Sequence, residues 1–406
     1  VIQVRIESVA NGGYGVARVD GLVHFIPETV TGDLAIIEPV SLKKRYTFSR
    51  LIRLIEPSPF RTDPFCPYFG DCGGCQLQHI GYETQLQIKQ KMFLDQMARI
   101  GGFGDLATPK IVGSRAKRIR MRFQIDGGRI GLFQRRSHRL CPVACCPVSS
   151  PEVNNVLAKV SEWLSDLPGK SRWHGTMEIL GMKQGRLTAL GLPRKEGMKL
   201  YEALRETVQG AVIVHRGKRT VRGKRYLPLV IQGITLYAGA DAFVQVNPEI
   251  NGQIVGLICR FLSGSKVVYD LYGGCGNFAL PLSRLCGRVT GVERDRRQVA
   301  AAELAVRRAG VGNISFVCAD AAHVVLDDPD GVVLDPPRSG LSTGLIDKIL
   351  AARPTKAAYV SCNPSTLARD LAIMVVGGYE INEIALFDMF PHTHHLESVT
   401  LLCRKT

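Results

Sequence analysis

The apolar positions of residues 1–57 fall in short runs, "VIQVRIESVA", "YGVARVD", "LVHFIP", "DLAIIEPV" and "RYTFSRLIRLIE", parted by turn-forming stretches such as "NGGYG" and "VTGD". Five short strands in so small a space predict a β-barrel of the oligonucleotide-binding (OB) type. The prolines of "EPSPFRTDP" end that unit. Beyond a cysteine-rich stretch, "YETQLQIKQKMFLDQMARIG" changes to helical spacing, with Leu86, Met92, Phe93, Met97 and Ile100 sharing one broad face. Between about 111 and 236, strand-like segments surround a helix near "PEVNNVLAKVSEWLSDL". From about 237 onward, "KVVYDLYGGCGNFALPLSRL", "RVTGVERDRRQVAAAELAVRRAG", "GVVLDPPRSG" and "AAYVSCNPSTLARDLAIMVVGG" repeat strand, loop and helix. That rhythm predicts a doubly wound α/β sheet. The expected chain is therefore multidomain α/β: a barrel at 1–57, a central α+β unit at 58–236 and a Rossmann-like unit at 237–406. Within the central unit, residues 78–110 are expected to pack on the last one.

Charge adds a partner to this picture. The net charge is +16, and "KIVGSRAKRIRMRFQIDGGRIGLFQRRSHR" (110–139) carries ten Lys or Arg against one Asp. A second run, "HRGKRTVRGKR" (215–225), has no acid. Two such runs favour a polyanion over a solvated surface, and nucleic acid over membrane, since neither sits on an amphipathic helix. No apolar run approaches a membrane span and Val1 opens no signal-peptide pattern, so a cytoplasmic protein is expected, with Val1 suggesting that the extreme N-terminus is missing; a monomer is the default expectation, on which the sequence carries no signal.

Three stretches carry chemistry. "FCPYFGDCGGCQLQH" sets Cys66, Cys72 and Cys75 close together, and Cys141, Cys145 and Cys146 follow. In a large cytosolic chain such spacing marks metal ligation more often than disulfides. In the last unit, strand "KVVYDLY" runs into Gly273, Gly274 and Gly276, a turn that lets backbone approach a ligand, and strand "RVTGVE" ends in Glu293, placed to accept from ribose hydroxyls. Gly274 to Ala279 also fits a dinucleotide pattern, which leaves an NAD enzyme open at this point. Later strand ends bring Asp335 of "VVLDPPRSG" and Cys362 of "AYVSCNPSTLARD" to the same rim. A dehydrogenase has no evident use for that cysteine, whereas a methyltransferase acting on a poorly nucleophilic ring carbon does. A thiolate adding to carbon 6 of uracil makes carbon 5 nucleophilic, and the dipole of the helix beginning "STLARD" is expected to favour the anion. Glu397 of "FDMFPHTHHLESV" is placed to remove the carbon 5 proton, while His392, His394 and His395 could instead ligate a metal. Phe243, Phe390 and Tyr272 are candidates to stack on a base or adenine.

"DPPRSG", "SCNPSTLARD" and "DMFPHTHHLESV", in this order, closely resemble the RNA uracil-5-methyltransferases, and the resemblance spans essentially the whole chain. It implies Cys362 as nucleophile, Glu397 as proton acceptor, and S-adenosylmethionine contacts at Gln245, Tyr272, Asn277, Glu293, Asp320 and Asp335. It likens the N-terminal strands to a TRAM domain and "CPYFGDCGGCQLQH" to an iron–sulfur segment. A 4Fe–4S cluster on Cys66, Cys72, Cys75 and a cysteine before proline is then implied, with Cys146 favoured over Cys141 and Cys145 and zinc as the alternative. RNA is the implied partner, 23S ribosomal RNA ahead of transfer RNA. A methyltransferase for amino nitrogens and a non-catalytic iron–sulfur RNA-binding protein are the competing classes.

Overall fold

The computed structural model of the chain describes residues 1–168 and 173–405. Its first sheet shows why the opening run behaves as two strands. Ile2–Arg5 pairs antiparallel with Leu34–Leu42, and Ser8–Ala10 pairs antiparallel with Tyr14–Val19. One bent stretch of chain thus joins the two ends of a six-stranded sheet and closes it around Val4, Ile6, Ala17, Ile26, Ala35 and Ile37. Outside this core, Tyr14, Phe25, Tyr46 and Phe48 pack on one another, and Arg135 and Arg136 lie over Tyr14 and Phe48 at 3.9 and 3.6 Å. Asp33 ties the closed sheet to the chain beyond the prolines. It is fully buried, accepts from Val30 and Ser58 N–H groups, and takes both Arg61 Nε and Nη2 at 2.8 Å.

The central residues form a seven-stranded mixed sheet, with Pro151–Asp166 and Arg194–Leu204 packed against its strands and each other. The second basic run supplies the edge strand Lys218–Gly223. A hairpin, Leu227–Ile231 with Ile234–Ala238, straddles the boundary expected at 236/237 and packs on the helices Pro248–Leu262 and Arg296–Ala309.

The last sheet has eight strands in the order Ile314–Cys318, Arg288–Glu293, Val267–Leu271, Gly331–Leu334, Lys356–Ser361, Glu397–Arg404, Tyr379–Phe387 and Lys110–Val112. All adjacent pairs are parallel except the two made by Glu397–Arg404. Strand order reverses about Val267–Leu271, which opens a crevice at the carboxyl ends of the strands. The helix Tyr82–Gly101 packs on Pro364–Val376 and buries Leu86, Met92, Phe93 and Met97. Ile100 departs from the expected face and is 48% exposed. Its place is taken by polar groups further back: Gln85 and Lys89 lie on the buried face, and Lys89 Nζ donates to Asp388 Oδ1 at 2.6 Å and to Phe390 O at 3.1 Å. Both members of this ion pair are fully buried, which apolar periodicity cannot announce. No helix among the described residues is long and apolar enough to cross a membrane.

Burial alone would raise the Asp33 carboxyl, but the Arg61 hydrogen bonds and the Ser58 and Val30 N–H groups outweigh it and hold the group below its ordinary value. Its contribution to stability is therefore present above about pH 4 and is lost as pH falls through the lowered folded value. Arg61→Leu strands a buried carboxylate and should cost about 3–5 kcal/mol of barrel stability in urea titrations at pH 7. A loss under about 1 kcal/mol would show that the pair does not hold the barrel.

Candidate active site

The glycine turn sits at the reversal of strand order. Tyr272 adopts φ 69°, Gly274 φ 55° and Gly276 φ 90°, so the chain leaves the strand through three left-handed residues. A Cβ at Gly276 would lie 2.1 Å from Leu280 Cδ1, so only glycine fits there. Under the turn Asp270 is fully buried; its Oδ2 accepts from Ala279 N at 2.9 Å and its Oδ1 has no partner. Burial pushes this carboxyl up to about 7.

A cavity opens on the other side of the turn. Gln245, Tyr272, Asn277 and Asp335 line it together with Phe243, Asn251, Gly273 and Gly274. Four of the six positions implied for cofactor contacts are thus brought together. The other two stand behind them. Glu293 accepts from Gly274 N at 3.2 Å and from Asp295 N at 2.8 Å, which makes it a brace for the glycine turn. Asp320 accepts from Ala322 N and caps the short helix Ala321–His323. Asn251, absent from the sequence reading, exchanges two amide hydrogen bonds with Asn277 at 2.7 and 3.0 Å. Helical periodicity counts it simply as a polar position, and no local motif marks it. Phe243 is 60% exposed at the cavity mouth, whereas Phe390 packs beneath Arg118 at 5.6 Å.

The second rim of the site comes from strand pairing. Ser361 stands opposite Ser398 in the antiparallel register, which brings the following Cys362 and the preceding Glu397 to neighbouring strand ends, close enough for the Glu397 charge to act on the thiol. Ser398 Oγ donates to Ser361 O at 3.0 Å and locks that register. Cys362 lines a pocket with Arg338, Asn363, His394, His395, Lys89 and Gln96, and Asn11 reaches it from the N-terminal barrel. The thiol does not show the lowering expected from the helix that follows. Burial pushes it up to about 11, the carboxylates of Glu397 and Asp335 add to the rise, and Arg338 opposes it. The helix starts only at Pro364, capped by Asn363, so Cys362 precedes the cap and desolvation wins. Burial also raises Glu397 well above the usual carboxylate range, and Asp335 to about 7.

His392, His394 and His395 do not converge as a ligand set. His392 Nδ1 meets Gln85 at 3.3 Å, His394 Nδ1 meets Gln76 at 3.2 Å, and His395 Nε2 lies 3.4 Å from Arg338. Burial lowers all three, to about 4, 4 and 3, so they are neutral at pH 7. Among the described residues no group of three or more His, Cys, Asp or Glu side chains is arranged to hold a metal ion. Cys66, Cys72, Cys75 and Cys146 nevertheless line one enclosed cavity, which Cys141 and Cys145 do not reach. Three buried donor atoms on two residues of that wall, Arg118 (Nε and Nη2) and Gln78 (Nε2), have no hydrogen-bond partner. Beside it, a cleft is lined by Phe65, Tyr82, Arg115, Lys117, Arg118 and His392.

The geometry defines a doubly wound enzyme with a ligand cavity at the glycine turn and, at the neighbouring strand ends, a half-buried cysteine near a buried carboxyl. Comparison with known proteins places it further. The family model described as tRNA (Uracil-5-)-methyltransferase matches residues 214–327 and 324–405. An uncharacterized RNA methyltransferase of Halalkalibacterium halodurans is 34% identical, over 99% of this chain and 96% of its own. The 23S rRNA (uracil(1939)-C(5))-methyltransferase RlmD of Photorhabdus laumondii is 32% identical, over 100% of this chain and 97% of its own. The crystal structure of Pyrococcus abyssi tRNA (uracil-54, C5)-methyltransferase in complex with S-adenosyl-L-homocysteine superposes with TM-score 0.79 at 24% identity, covering 99% of this chain and 100% of that one, and so shares the fold. The chain belongs to the family of RNA uracil-5-methyltransferases.

A thiol with a pKa near 11 is mostly protonated at neutral pH, so its alkylation should track the growing thiolate fraction. Iodoacetamide labelling of Cys362, followed by peptide mass spectrometry, is expected to climb about tenfold per unit between about pH 7 and 9. Arg338→Met removes the cation that favours the thiolate and should slow labelling. A plateau near neutrality, or an unchanged rate in that variant, would contradict this account of the pocket.

Proposed function

We propose that this chain methylates carbon 5 of a specific uridine in 23S ribosomal RNA through a covalent bond between Cys362 Sγ and carbon 6. The observation that carries the reading is the strand register that sets Cys362 against Glu397. Cys362, as thiolate, adds to carbon 6, and the electron pair moves onto the ring so that carbon 5 becomes nucleophilic. S-adenosylmethionine, when bound, supplies an electrophilic methyl group. Gln245, Tyr272, Asn277 and Asp335 suit it because they line one cavity at the glycine turn; Glu293 braces that turn, and Asp320 is near enough for its charge to act on Tyr272. Once carbon 5 carries the methyl group, Glu397 takes its proton; the carbon 5 electrons re-form the double bond and expel the Cys362 thiolate. The Arg338 charge opposes the rise that burial imposes on both groups.

The rest of the chain suits an RNA ligand. The reading assigns a TRAM-type barrel to 1–57, an iron–sulfur unit to 58–236 and the methyltransferase unit to 237–406. A flipped-out base would occupy the Cys362 pocket, and the Arg115–Lys117–Arg118 cleft with the exposed Phe65 ring suits a backbone and base beside it. Cys66, Cys72, Cys75 and Cys146 would hold the 4Fe–4S cluster. Supporting this are the cavity they share and the orphaned Arg118 and Gln78 donors, which fit a negatively charged cluster bound to thiolates. Ribosomal RNA is preferred over transfer RNA because the likeness to the Photorhabdus enzyme is the stronger, 32% identity over 100% of this chain against 24% over 99% for the Pyrococcus enzyme.

Incubation with 5-fluorouridine transcripts of 23S rRNA and of tRNA should give a denaturation-resistant adduct at Cys362 with the former only. Cys362→Ala should give none, and Glu397→Gln should accumulate adduct on ordinary uridine. Adduct on tRNA alone would move the target, and none on either RNA would remove the covalent mechanism. Cys146→Ser should lower bound iron and shift the near-400 nm absorbance, whereas Cys145→Ser should leave both as they are.

A further inference from the structure

The loop 388–396 joins strands Tyr379–Phe387 and Glu397–Arg404, and its His394, His395 and Leu396 form one wall of the Cys362 pocket. What fixes that wall is not local to it. The backbone N–H groups of Gln76 and Leu77 both donate to His392 O at 3.0 Å. Gln76 Nε2 donates to Gly73 O at 2.7 Å, which orients the amide with Oε1 3.2 Å from His394 Nδ1. An amide oxygen can only accept, so His394 carries its proton on Nδ1. His394 stacks on His395 with ring centroids 4.0 Å apart, and His395 Nε2 meets Arg338 Nη2 at 3.4 Å. Arg338 lines the pocket with Cys362, and its charge is the cation that acts on the thiol. A line of contacts thus runs from the residue after Cys75 to Arg338, which shares its pocket with the reacting thiol.

We propose that Gln76 is a positioning residue for methyl transfer: through His394 and His395 it sets the Arg338 side of the Cys362 pocket and so couples the cysteine-rich segment to catalysis. The segment then does more than shape an RNA-binding surface. A disturbance around Cys72–Gln76 reaches the pocket wall even when RNA binds normally. Two features make the coupling directional. The double backbone attachment to His392 O fastens the loop as a whole, while the side-chain amide selects one histidine tautomer and one ring position. Lys89 and Gln85 hold the loop's first half, leaving Gln76 as the polar fastening at His394.

The inference rests on the reading of the Cys362 pocket as the catalytic one. Its test uses the full-length enzyme, with RNA affinity from filter binding and methyl transfer from labelled S-adenosylmethionine. Gln76→Leu and His394→Leu should each lower kcat about tenfold or more with RNA Kd within about twofold, and the double variant should be no worse than either single one. Gln76→Glu, which keeps an acceptor for His394 Nδ1, should recover much of the lost kcat. Losses that appear in RNA Kd, or that multiply in the double variant, would overturn the coupling. Iron content and melting temperature are followed in parallel. If Gln76→Leu loses iron or fails to fold, His394→Leu decides alone, and a parental kcat there refutes the proposal. A parental enzyme that forms no 5-fluorouridine adduct would instead fail the covalent mechanism, and the Gln76–His394 cycle is read on methyl transfer either way.

Discussion

The site depends on the register of one antiparallel strand. Glu397–Arg404 enters an otherwise parallel sheet beside Lys356–Ser361, and Ser361 pairs with Ser398. Side chains alternate between faces along a strand, so a slip of one residue would turn Glu397 to the opposite face and leave Cys362 without its carboxyl. The register is over-determined. Six consecutive pairs run from Lys356–Cys403 to Ser361–Ser398, and Ser398 Oγ adds a bond across the last of them. Val399 and Leu401 project into one apolar cluster while Leu402 projects into the other, so both faces of the strand resist sliding. The sheet interior thereby places two reactive groups that lie far apart in sequence.

Around that fixed point the polar contacts are supplied from distant parts of the chain. The buried Lys89–Asp388 pair and Tyr82 Oη on Asp388 at 2.8 Å tie the loop before Glu397 to the helix Tyr82–Gly101. A buried pair of this kind adds little net stability over an apolar substitute, but leaving one partner alone is costly. Its value lies in allowing only one seating for the loop. The same helix buries Phe93 and Met97 in the core shared with Leu367 and Leu371, so apolar packing sets its position and the polar groups set its rotation.

This division explains what the sequence discloses. The cysteine at 362, the carboxyls at 335 and 397 and the glycine turn are legible because each ends a strand, and strand ends in a doubly wound sheet meet at one rim. The barrel was legible from short alternating runs, but its closure by a broken first strand was not, since the break at Ile6–Glu7 carries no glycine or proline. Asn251 and Gln76 were missed because their partners, Asn277 and His394, lie more than twenty residues away, and Gln76 sits in the cysteine motif among residues read only as cluster ligands. The direction of the Cys362 shift was misjudged for a related reason. A helix dipole is visible in sequence, whereas desolvation by burial and the nearby Glu397 charge appear only once the strands are assembled.

The raised values of Cys362 and Glu397 also constrain the order of events in the proposed reaction. Burial raises both groups, and the reaction handles two protons: one must leave the thiol before addition and a separate one must leave carbon 5 afterwards. A single carboxyl cannot hold both. If Glu397 took the thiol proton, it would have to release that proton before serving carbon 5, and Asp335, raised to about 7, is the nearer titratable neighbour coupled to it. Arg338 favours the charged form of each partner and so lowers the cost of either ionisation, though not of both at once. Binding of a polyanion into a basic cleft works against the thiolate, which makes the placement of this one guanidinium, held by the His394–His395 wall, the electrostatic term on which addition turns.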